Sequence, residues 1–253
     1  MPEFSKTRQK VALITGASRG LGRASAARLA QAGYVVWLGV RNEAEVVDFV
    51  AEIEASGGQA RSITLDVTVP ETIERCASLI ESEHGFLDLL VNNAGIMLDM
   101  LDRSWQGNTA TTIDPTSLRR TFEVNLFGVV AVTQAMWPLL VKASHANVVN
   151  VSSHLGSNTL HADPESRLAG RKPFAYAASK AALNTFTTHL ADAGRSIGIQ
   201  VNSAHPGWVR TALGTEDATM STEEGVETIL DLALLPPNSR TGCFEHCGCA
   251  LPW

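Results

Sequence analysis

Residues 11–22 read Val-Ala-Leu-Ile-Thr-Gly-Ala-Ser-Arg-Gly-Leu-Gly, and this stretch sets the architecture of the chain. Its first five residues are apolar or β-branched, which predicts a strand buried on both faces. Gly16, Gly20 and Gly22 then form a turn, and residues 21–32 have helical composition that stops at Gly33. Residues 34–40 are a second apolar run. Together these segments predict one βαβ unit.

The same order of elements repeats along the chain. Apolar, strand-like runs lie at 60–65, 87–91, 147–151 and 199–203, with a candidate seventh strand at 241–249. Helical patterns lie at 43–56, from 70, from 114 to at least 138, from 173 and at 221–234. Alternating strands and helices predict an α/β fold, a single-domain Rossmann-type doubly wound sheet of about seven mainly parallel strands with helices on both faces. No composition break divides residues 1–253, so we expect a single domain with a flexible N-terminus at 1–9.

The composition limits the classes of function. Hydrophobic residues make up 45% and charged residues 18% of the chain, as in ordinary globular proteins, and the net charge of -6 argues against a general nucleic-acid binder. The first ten residues lack the apolar core of a signal peptide. No apolar run approaches the about 20 residues of a membrane span, and the best one, at 126–132, ends at Thr133. We therefore expect a soluble cytoplasmic protein with no membrane and no nucleic-acid partner.

Three of the four cysteines crowd the C-terminus around His246. Cys243, Cys247 and Cys249 fit no zinc template, because no second ligand pair follows them. In a strand their side chains would share one face, since side chains alternate with period two. We expect buried or interfacial thiols here and no metal site, although the role of the cluster stays open. Cys76 lies in an amphipathic helix pattern and is expected to be a core residue.

The glycine turn has the chemistry of a phosphate-binding loop. Gly16, Gly20 and Gly22 follow the first predicted strand and precede the first helix. Glycine allows a tight turn and close approach of the backbone to a pyrophosphate, and the helix N-terminus offers free N–H groups. The alternative is a tight strand–helix connection without a ligand. The position of the glycines in the first βα turn favours the dinucleotide.

The end of the second strand indicates which dinucleotide is bound. An NAD site requires an acid there for the ribose 2′-hydroxyl, but the segment 38–42 contains none, and the first acid is Glu43. Arg41 is placed to meet a 2′-phosphate instead, and Arg19 could join it. The alternative is that both arginines are simple surface charges. We favour NADPH over NADH.

A tyrosine and a lysine lie four residues apart in a predicted helix, at Tyr176 and Lys180. Residues at this spacing project from the same helix face. A free phenol has a pKa of about 10, and a nearby ammonium lowers it by favouring the phenolate. Seen alone, the pair is better explained as a solvated pair on an outer helix face. The rest of the chain favours a proton-transfer role.

These motifs occur in an order that resembles the short-chain dehydrogenase/reductase family, and the carbonyl-reductase-like branch in particular. The resemblance runs from about residue 10 to the C-terminus. The matching segments are Thr15-Gly16-x3-Gly20-x-Gly22, Asn92-Asn93-Ala94-Gly95, Asn125, Val148-Val149-Asn150-Val151-Ser152-Ser153, Tyr176-x3-Lys180 and His205-Pro206-Gly207.

The resemblance implies a role for each matching residue. Tyr176 is the general acid, Lys180 lowers its pKa and bonds the nicotinamide ribose, Ser153 holds the carbonyl oxygen, and Asn125 holds a water that links Lys180 to solvent. Asp66 meets the adenine ring. The implied cofactor-binding set is Gly16, Ser18, Arg19, Gly20, Leu21, Gly22, Arg41, Asp66, Val67, Asn93, Ala94, Gly95, Tyr176, Lys180, Pro206, Gly207, Val209 and Thr211.

Two long loops would shape the substrate pocket. One spans 96–114 and carries Trp105, and the other lies at 157–172, before Tyr176. His154 and His161 are interpreted as polar loop residues, because Tyr176 already has the proton-transfer role. Candidate pocket residues, for each of which ordinary packing is the alternative, are Met97, Leu155, Leu160, Phe174, Trp208 and Leu213.

The sequence therefore predicts an NADPH-dependent carbonyl reductase that converts a ketone or aldehyde, a small-molecule substrate, to an alcohol. An NAD(P)-dependent secondary alcohol or polyol dehydrogenase is the alternative within the same class. A dinucleotide-sensing binding protein is the alternative from another class, although a sensor has no need of the complete set of catalytic residues. By resemblance we also expect a homodimer or homotetramer.

Overall fold

The computed structural model describes residues 8–99 and 109–253, and within them eight strands form one sheet. The strand order is β3-β2-β1-β4-β5-β6-β7-β8. All neighbouring strands are parallel except β7 and β8, which form an antiparallel pair. The strands are β1 (Val11–Thr15), β2 (Val35–Val40), β3 (Gln59–Thr64), β4 (Leu89–Asn92), β5 (Ala146–Val151), β6 (Ile199–Ala204), β7 (Phe244–His246) and β8 (Cys249–Ala250).

Helices connect the parallel strands and cover both faces of the sheet. Two of them, α4 and α5, are joined by a π-turn at Glu123–Phe127. Single 3-10 turns lie at Glu43–Val46 and His154–Gly156. The α-helices are α1 (Gly20–Gln31), α2 (Val47–Ala55), α3 (Pro70–His84), α4 (Pro115–Phe122), α5 (Gly128–Lys142), α6 (Asn158–Ala162), α7 (Phe174–Arg195) and α8 (Thr222–Ala233).

The hydrophobic core is divided by the sheet into two layers. On one face, Ile14 of β1 packs in a cluster with Leu29 of α1 and Ile229 of α8. On the other face, Leu13 packs with Met136 of α5. Consecutive residues of β1 thus serve opposite layers, because strand side chains alternate. This arrangement confirms the predicted doubly wound α/β fold.

The helical stretch 115–142 is long and apolar enough to cross a membrane by length and composition alone. Here it lies against the sheet, and α5 buries Val132, Met136, Leu139 and Leu140 in the core. A central helix of a folded domain passes the same test, because its apolar face is turned towards the sheet. The sequence-based expectation considered only uninterrupted apolar runs and therefore did not identify this helix as long enough for a membrane span.

The predicted elements are confirmed within a few residues, with two exceptions: the short helix α6, in a segment predicted to be a loop, and the C-terminus. The candidate strand 241–249 is a hairpin, because Cys247 and Gly248 both adopt positive φ angles, of 48° and 73°, and turn the chain between β7 and β8. The prediction that Cys243, Cys247 and Cys249 share one strand face is therefore wrong. Cys247 and Cys249 are exposed, whereas Cys76 is buried as expected.

Some predictions concern segments at the edge of the described residues. Residues 1–7 of the predicted flexible N-terminus lie outside them, and Arg8 forms an ion pair with Asp88. Trp105 and residues 100–108 of the first long loop also lie outside. The second long loop, 157–172, begins with α6, and the backbone oxygen of Trp253 accepts hydrogen bonds from its Ser157 and Thr159.

The sheet places the functional motifs at one edge. The chain winds from β1 to β3 in one direction and from β4 onwards in the other, so the order reverses between β1 and β4. In open α/β sheets a crevice forms at this point, outside the carboxyl ends of the strands. Asn92, Ser153 and Pro206 all lie at or directly after such ends.

Candidate active site

The glycine turn has the geometry expected of a pyrophosphate cradle. Gly16 and Gly20 have φ angles of 67° and 53°, which a residue with a side chain adopts only with strain. Helix α1 begins without a side-chain hydrogen bond at its N-cap, Arg19, and has no acidic residue in its first turn. Its first N–H groups therefore remain available to an anion, as a dinucleotide phosphate requires.

The turn is held in place by the loop after β4. The side-chain amide of Asn93 donates to the backbone oxygens of Thr15 and Gly16, at 2.9 and 3.0 Å. The Thr15 hydroxyl accepts from the backbone N–H groups of Asn93 and Ala94, both at 3.0 Å. A Cβ at Gly22 would collide with the Gly16 oxygen and lie 2.5 Å from the Asn93 amide. Gly22 therefore has a packing role.

The acid nearest the end of β2 is occupied by contacts within the protein. The carboxylate of Glu43 accepts from the Ser62 hydroxyl at 2.9 Å, and from the hydroxyl and backbone N–H of Thr64 at 2.7 and 3.0 Å. The hydrogen bond from the Thr64 hydroxyl contributes most to lowering the pKa of Glu43. Arg19 and Arg41 are exposed and line the cleft at this end.

A cleft of about 650 Å³ runs from the glycine turn to helix α7. Its volume is in the range of small-molecule sites. Gly22 is the one member of the predicted cofactor-binding set that does not line the cleft. The other members that do line it are Gly16, Ser18, Arg19, Gly20, Leu21, Arg41, Asp66, Val67, Asn93, Ala94, Gly95, Tyr176, Lys180, Pro206, Gly207, Val209 and Thr211.

The segment after β6 closes over this cleft. Val209 and Met220 form a short parallel bridge, in which the backbone N–H of Met220 donates to the oxygen of Trp208 at 3.0 Å. This brings Thr211 over the glycine turn, where its methyl group would be 3.3 Å from a Cβ at Gly20. Asp66 lies across the cleft, and its carboxylate accepts from the backbone and hydroxyl of Thr68 at 2.9 and 2.7 Å.

Tyr176 is buried at the α7 end of the cleft. Its side chain is 7% exposed, and the Ser153 hydroxyl is hydrogen-bonded to it. Burial raises the pKa of Tyr176 to about 12, and the Ser153 hydrogen bond offsets only part of this rise. The expected lowering by Lys180 does not contribute to this pKa, which rises because burial removes the phenolate from water. Ser152 instead donates to Asn184 at 2.6 Å, so Ser153 is the serine that meets the tyrosine.

Lys180 lies one helical turn beyond Tyr176. Its ammonium is 5.6 Å from the centre of the tyrosine ring and donates to the backbone oxygen of Val151 at 2.8 Å. Burial lowers the pKa of Lys180 to about 8. At neutral pH the side chain is therefore mostly charged, with a proton that is held less tightly than in an exposed lysine.

Asn125 lies in the π-turn and is fully buried. Its side-chain amide donates to the backbone oxygen of Ile96 at 2.8 Å and to the Ser179 hydroxyl at 3.0 Å. Its side-chain oxygen accepts from the N–H of Ile96 at 2.8 Å. Both amide hydrogens are thus used to hold the loop after β4 against α7, which is a role that the sequence did not indicate. π-turns in helices frequently occur at functional sites.

Asp99 is a further residue that the sequence did not single out. It is 1% exposed, and its carboxylate accepts from the backbone N–H groups of Ala175 and Tyr176 at 2.9 and 2.8 Å. The N-cap of α7 is Pro173, which makes no side-chain hydrogen bond, so Asp99 caps this helix from another loop. Burial raises the pKa of Asp99, although these two hydrogen bonds oppose the rise.

The predicted substrate-pocket residues separate into two groups. Met97, Leu155, Trp208 and Leu213 line the cleft. Leu160 and Phe174 do not line it: Leu160 packs against the cluster of Leu155, Leu168 and Tyr176, and Phe174 is 38% exposed at the start of α7. The buried Leu168 belongs to the second long loop, which thereby forms a wall around Tyr176.

The described residues contain no group of three His, Cys, Asp or Glu side chains arranged to hold a metal ion. The Ser153 hydroxyl, the Tyr176 phenol and the Lys180 ammonium all line the cleft that begins at the glycine turn. This set can stabilise negative charge on an oxygen and supply a proton to it.

Comparison with known proteins identifies the family. The sequence model of the short chain dehydrogenases matches residues 10–222. The short-chain dehydrogenase anuI of Penicillium roqueforti is 35% identical over 228 residues, which cover 87% of both chains. Carbonyl reductase (NADPH) 3 of Rattus norvegicus is 30% identical, over 91% of this chain and 92% of the relative. The solved structure of NADPH-bound carbonyl reductase from chicken fatty liver is 26% identical and superposes with a TM-score of 0.83, covering 97% of this chain and 100% of that one. The chain therefore belongs to the short-chain dehydrogenase/reductase family of NAD(P)-dependent oxidoreductases.

Proposed function

We propose that the protein is an NADPH-dependent carbonyl reductase that converts a ketone or aldehyde to an alcohol. The observation that carries this proposal is the single cleft that joins the glycine turn to Tyr176, Ser153 and Lys180. The NADPH named in two of the relatives, the rat carbonyl reductase and the chicken structure, agrees with it.

The preference for NADPH rests on the charges at the end of β2. The carboxylate of Glu43 already accepts hydrogen bonds from Ser62 and Thr64, so we infer that it does not bind a ribose hydroxyl. Arg19 and Arg41 line this end of the cleft and would hold the 2′-phosphate, because a guanidinium matches phosphate geometry. Glu45 also lines the cleft and is the acid that opposes this preference.

NADPH supplies the hydride when it is bound, and the protein supplies position and a proton. Ser153 and Tyr176 would hold the carbonyl oxygen, on which negative charge develops during reduction. The high pKa of Tyr176 keeps the phenol protonated at neutral pH, as a general acid must be. Lys180 would bond the nicotinamide ribose and, with its charge near the phenolate, favour release of the proton. A water held at Asn125 would return a proton to this pair.

We further propose a soluble cytoplasmic homo-oligomer. The four cysteines are all free thiols, which is typical of a reducing compartment. Members of the family are commonly oligomeric, and a homodimer or homotetramer is the assembly that we expect.

The decay of NADPH absorbance with a panel of ketones and aldehydes tests the proposed reaction. The same measurement with NADH, and in the reverse direction with secondary alcohols and polyols, distinguishes a reductase from an NAD-linked dehydrogenase. Binding of NADPH without turnover of any carbonyl compound, alcohol or polyol would instead identify a sensor and refute the proposal.

A further inference from the structure

Three histidine side chains lie against one another at the carboxyl ends of β5, β6 and β7. The ring centres of His154 and His205 are 4.2 Å apart, and those of His205 and His246 are 4.9 Å apart. His154 and His205 also line the cleft, together with Ser153 and Tyr176. These two histidines are therefore part of the wall that a substrate would contact.

The hydrogen bonds of this pair determine which ring nitrogens carry protons. The backbone N–H of Gly207, which can only donate, lies 3.4 Å from Nδ1 of His205. Neutral His205 therefore has its proton on Nε2, which is 2.7 Å from Nδ1 of His154. Nδ1 of His154 accepts the hydrogen bond from Nε2–H of His205, so the single N–H of neutral His154 is on Nε2.

Both rings are neutral at physiological pH. Burial lowers the pKa of His154 to about 4, with a contribution from the positive charge of Arg167. Burial also lowers the pKa of His205 well below its usual value. A neutral imidazole whose Nδ1 is already an acceptor offers the cleft one N–H donor and no charge.

Carboxylates are absent from this end of the cleft among the described residues. The acids that line the cleft, Glu45 and Asp66, follow β2 and β3 at the adenosine end. An N–H donor without a nearby carboxylate suits an oxygen acceptor on the substrate and does not suit a cationic group.

We propose that Nε2 of His154 donates a hydrogen bond to a second oxygen of the substrate, so that the site selects carbonyl compounds that carry another carbonyl oxygen, such as keto esters. This inference rests on the proposed function. His154 directly follows Ser153, and both residues line the cleft. The two side chains can therefore meet two oxygens of one small molecule. A simple ketone would leave the N–H without an acceptor, and a site that is built to donate discriminates against such an analogue.

The test compares ethyl acetoacetate with 2-heptanone, which has the same chain length and lacks the ester oxygens. In His154→Phe we expect the ratio of kcat/KM for the keto ester to that for the ketone to fall about tenfold, mainly through KM. His154→Gln keeps an amide donor and should restore much of this ratio. His161→Phe is the matched control, because His161 lies nearby in α6, bonds the backbone oxygen of Leu155 and does not line the cleft.

A second readout does not depend on turnover. Calorimetry with the NADP⁺-loaded protein should show that His154→Phe weakens binding of ethyl acetoacetate about tenfold more than binding of 2-heptanone. An unchanged ratio in His154→Phe, or an equal loss for both compounds, overturns the inference alone. A wild-type protein that reduces 2-heptanone and not ethyl acetoacetate also overturns the inference alone, whereas a protein that reduces no carbonyl compound of the panel overturns it together with the proposed function.

Discussion

Replacing Lys180 by methionine should make the protein more stable while it abolishes turnover. Burial lowers the pKa of Lys180 from 10.5 to about 8, a difference that corresponds to about 3 kcal/mol of unfavourable free energy for the charged side chain. Methionine has a similar length and removes this cost. It also removes the hydrogen bond to the backbone oxygen of Val151, which is worth about 1 kcal/mol. We expect a net gain of about 2 kcal/mol at pH 7, or roughly 4–8 °C in Tm.

The stabilising effect of Lys180→Met should depend on pH. Between pH 8 and 10.5 the unfolded chain binds a proton at Lys180 that the folded protein has released, so the stability of the wild type rises through this window. The advantage of Lys180→Met should therefore shrink to about zero near pH 10, where the remaining cost of about 1 kcal/mol equals the lost hydrogen bond.

Urea and thermal unfolding without cofactor, at pH 7 and pH 10, provide the measurement. Lys142→Met is the control, because Lys142 is exposed and pairs with Glu81 at the surface, and its effect should stay within about 0.5 kcal/mol. A Lys180→Met protein that is less stable than the wild type at pH 7, or a gain that persists unchanged at pH 10, would refute the reasoning.

Two further substitutions test the cofactor site and the positioning of the tyrosine. Arg41→Ala should raise KM for NADPH roughly tenfold or more and leave KM for NADH nearly unchanged, because a 2′-phosphate contact is lost, and the exposed Arg120→Ala should change neither. Equal losses for both cofactors would disprove the phosphate contact. Asp99→Ala should lower both kcat and stability, because α7 loses two capping hydrogen bonds to a charged acceptor, each worth about 1.5–3 kcal/mol. The control Asp114→Ala removes the cap of α4 and should lower only the stability, by about 1 kcal/mol. Unchanged kcat in Asp99→Ala, or similar kcat losses in both variants, would contradict the positioning role.

Most of the fold follows from local patterns in the sequence. The buried strands are continuous apolar runs, and Gly16, Gly33 and Gly85 mark the ends of elements with positive φ angles. Each of these signals depends only on residues within one element, so strands and helices can be predicted one by one. Their alternation along the chain then predicts the doubly wound sheet. The C-terminal hairpin escaped prediction because Cys247 is not a residue type that favours the left-handed region.

The candidate site was predictable where residues act through their own chemistry, as with Tyr176 and Lys180. It was not predictable where the role depends on contacts between distant segments. Asp99 caps a helix that begins 75 positions later, and no pattern near either segment announces this contact. The pKa of Tyr176 is another example, because the Leu168 wall and the depth of burial determine its direction.

Turnover by Tyr176→Phe is the most direct test of the proposed proton transfer. The phenyl ring keeps the contacts with Leu155 and Leu168 and lacks only the hydroxyl. Steady-state NADPH oxidation with a reducible ketone should fall by about 10²–10⁴-fold, which is the contribution of a general acid. NADPH binding, followed by fluorescence titration, should be retained. Turnover at the wild-type rate with normal NADPH binding would contradict the assignment of Tyr176 as the proton donor.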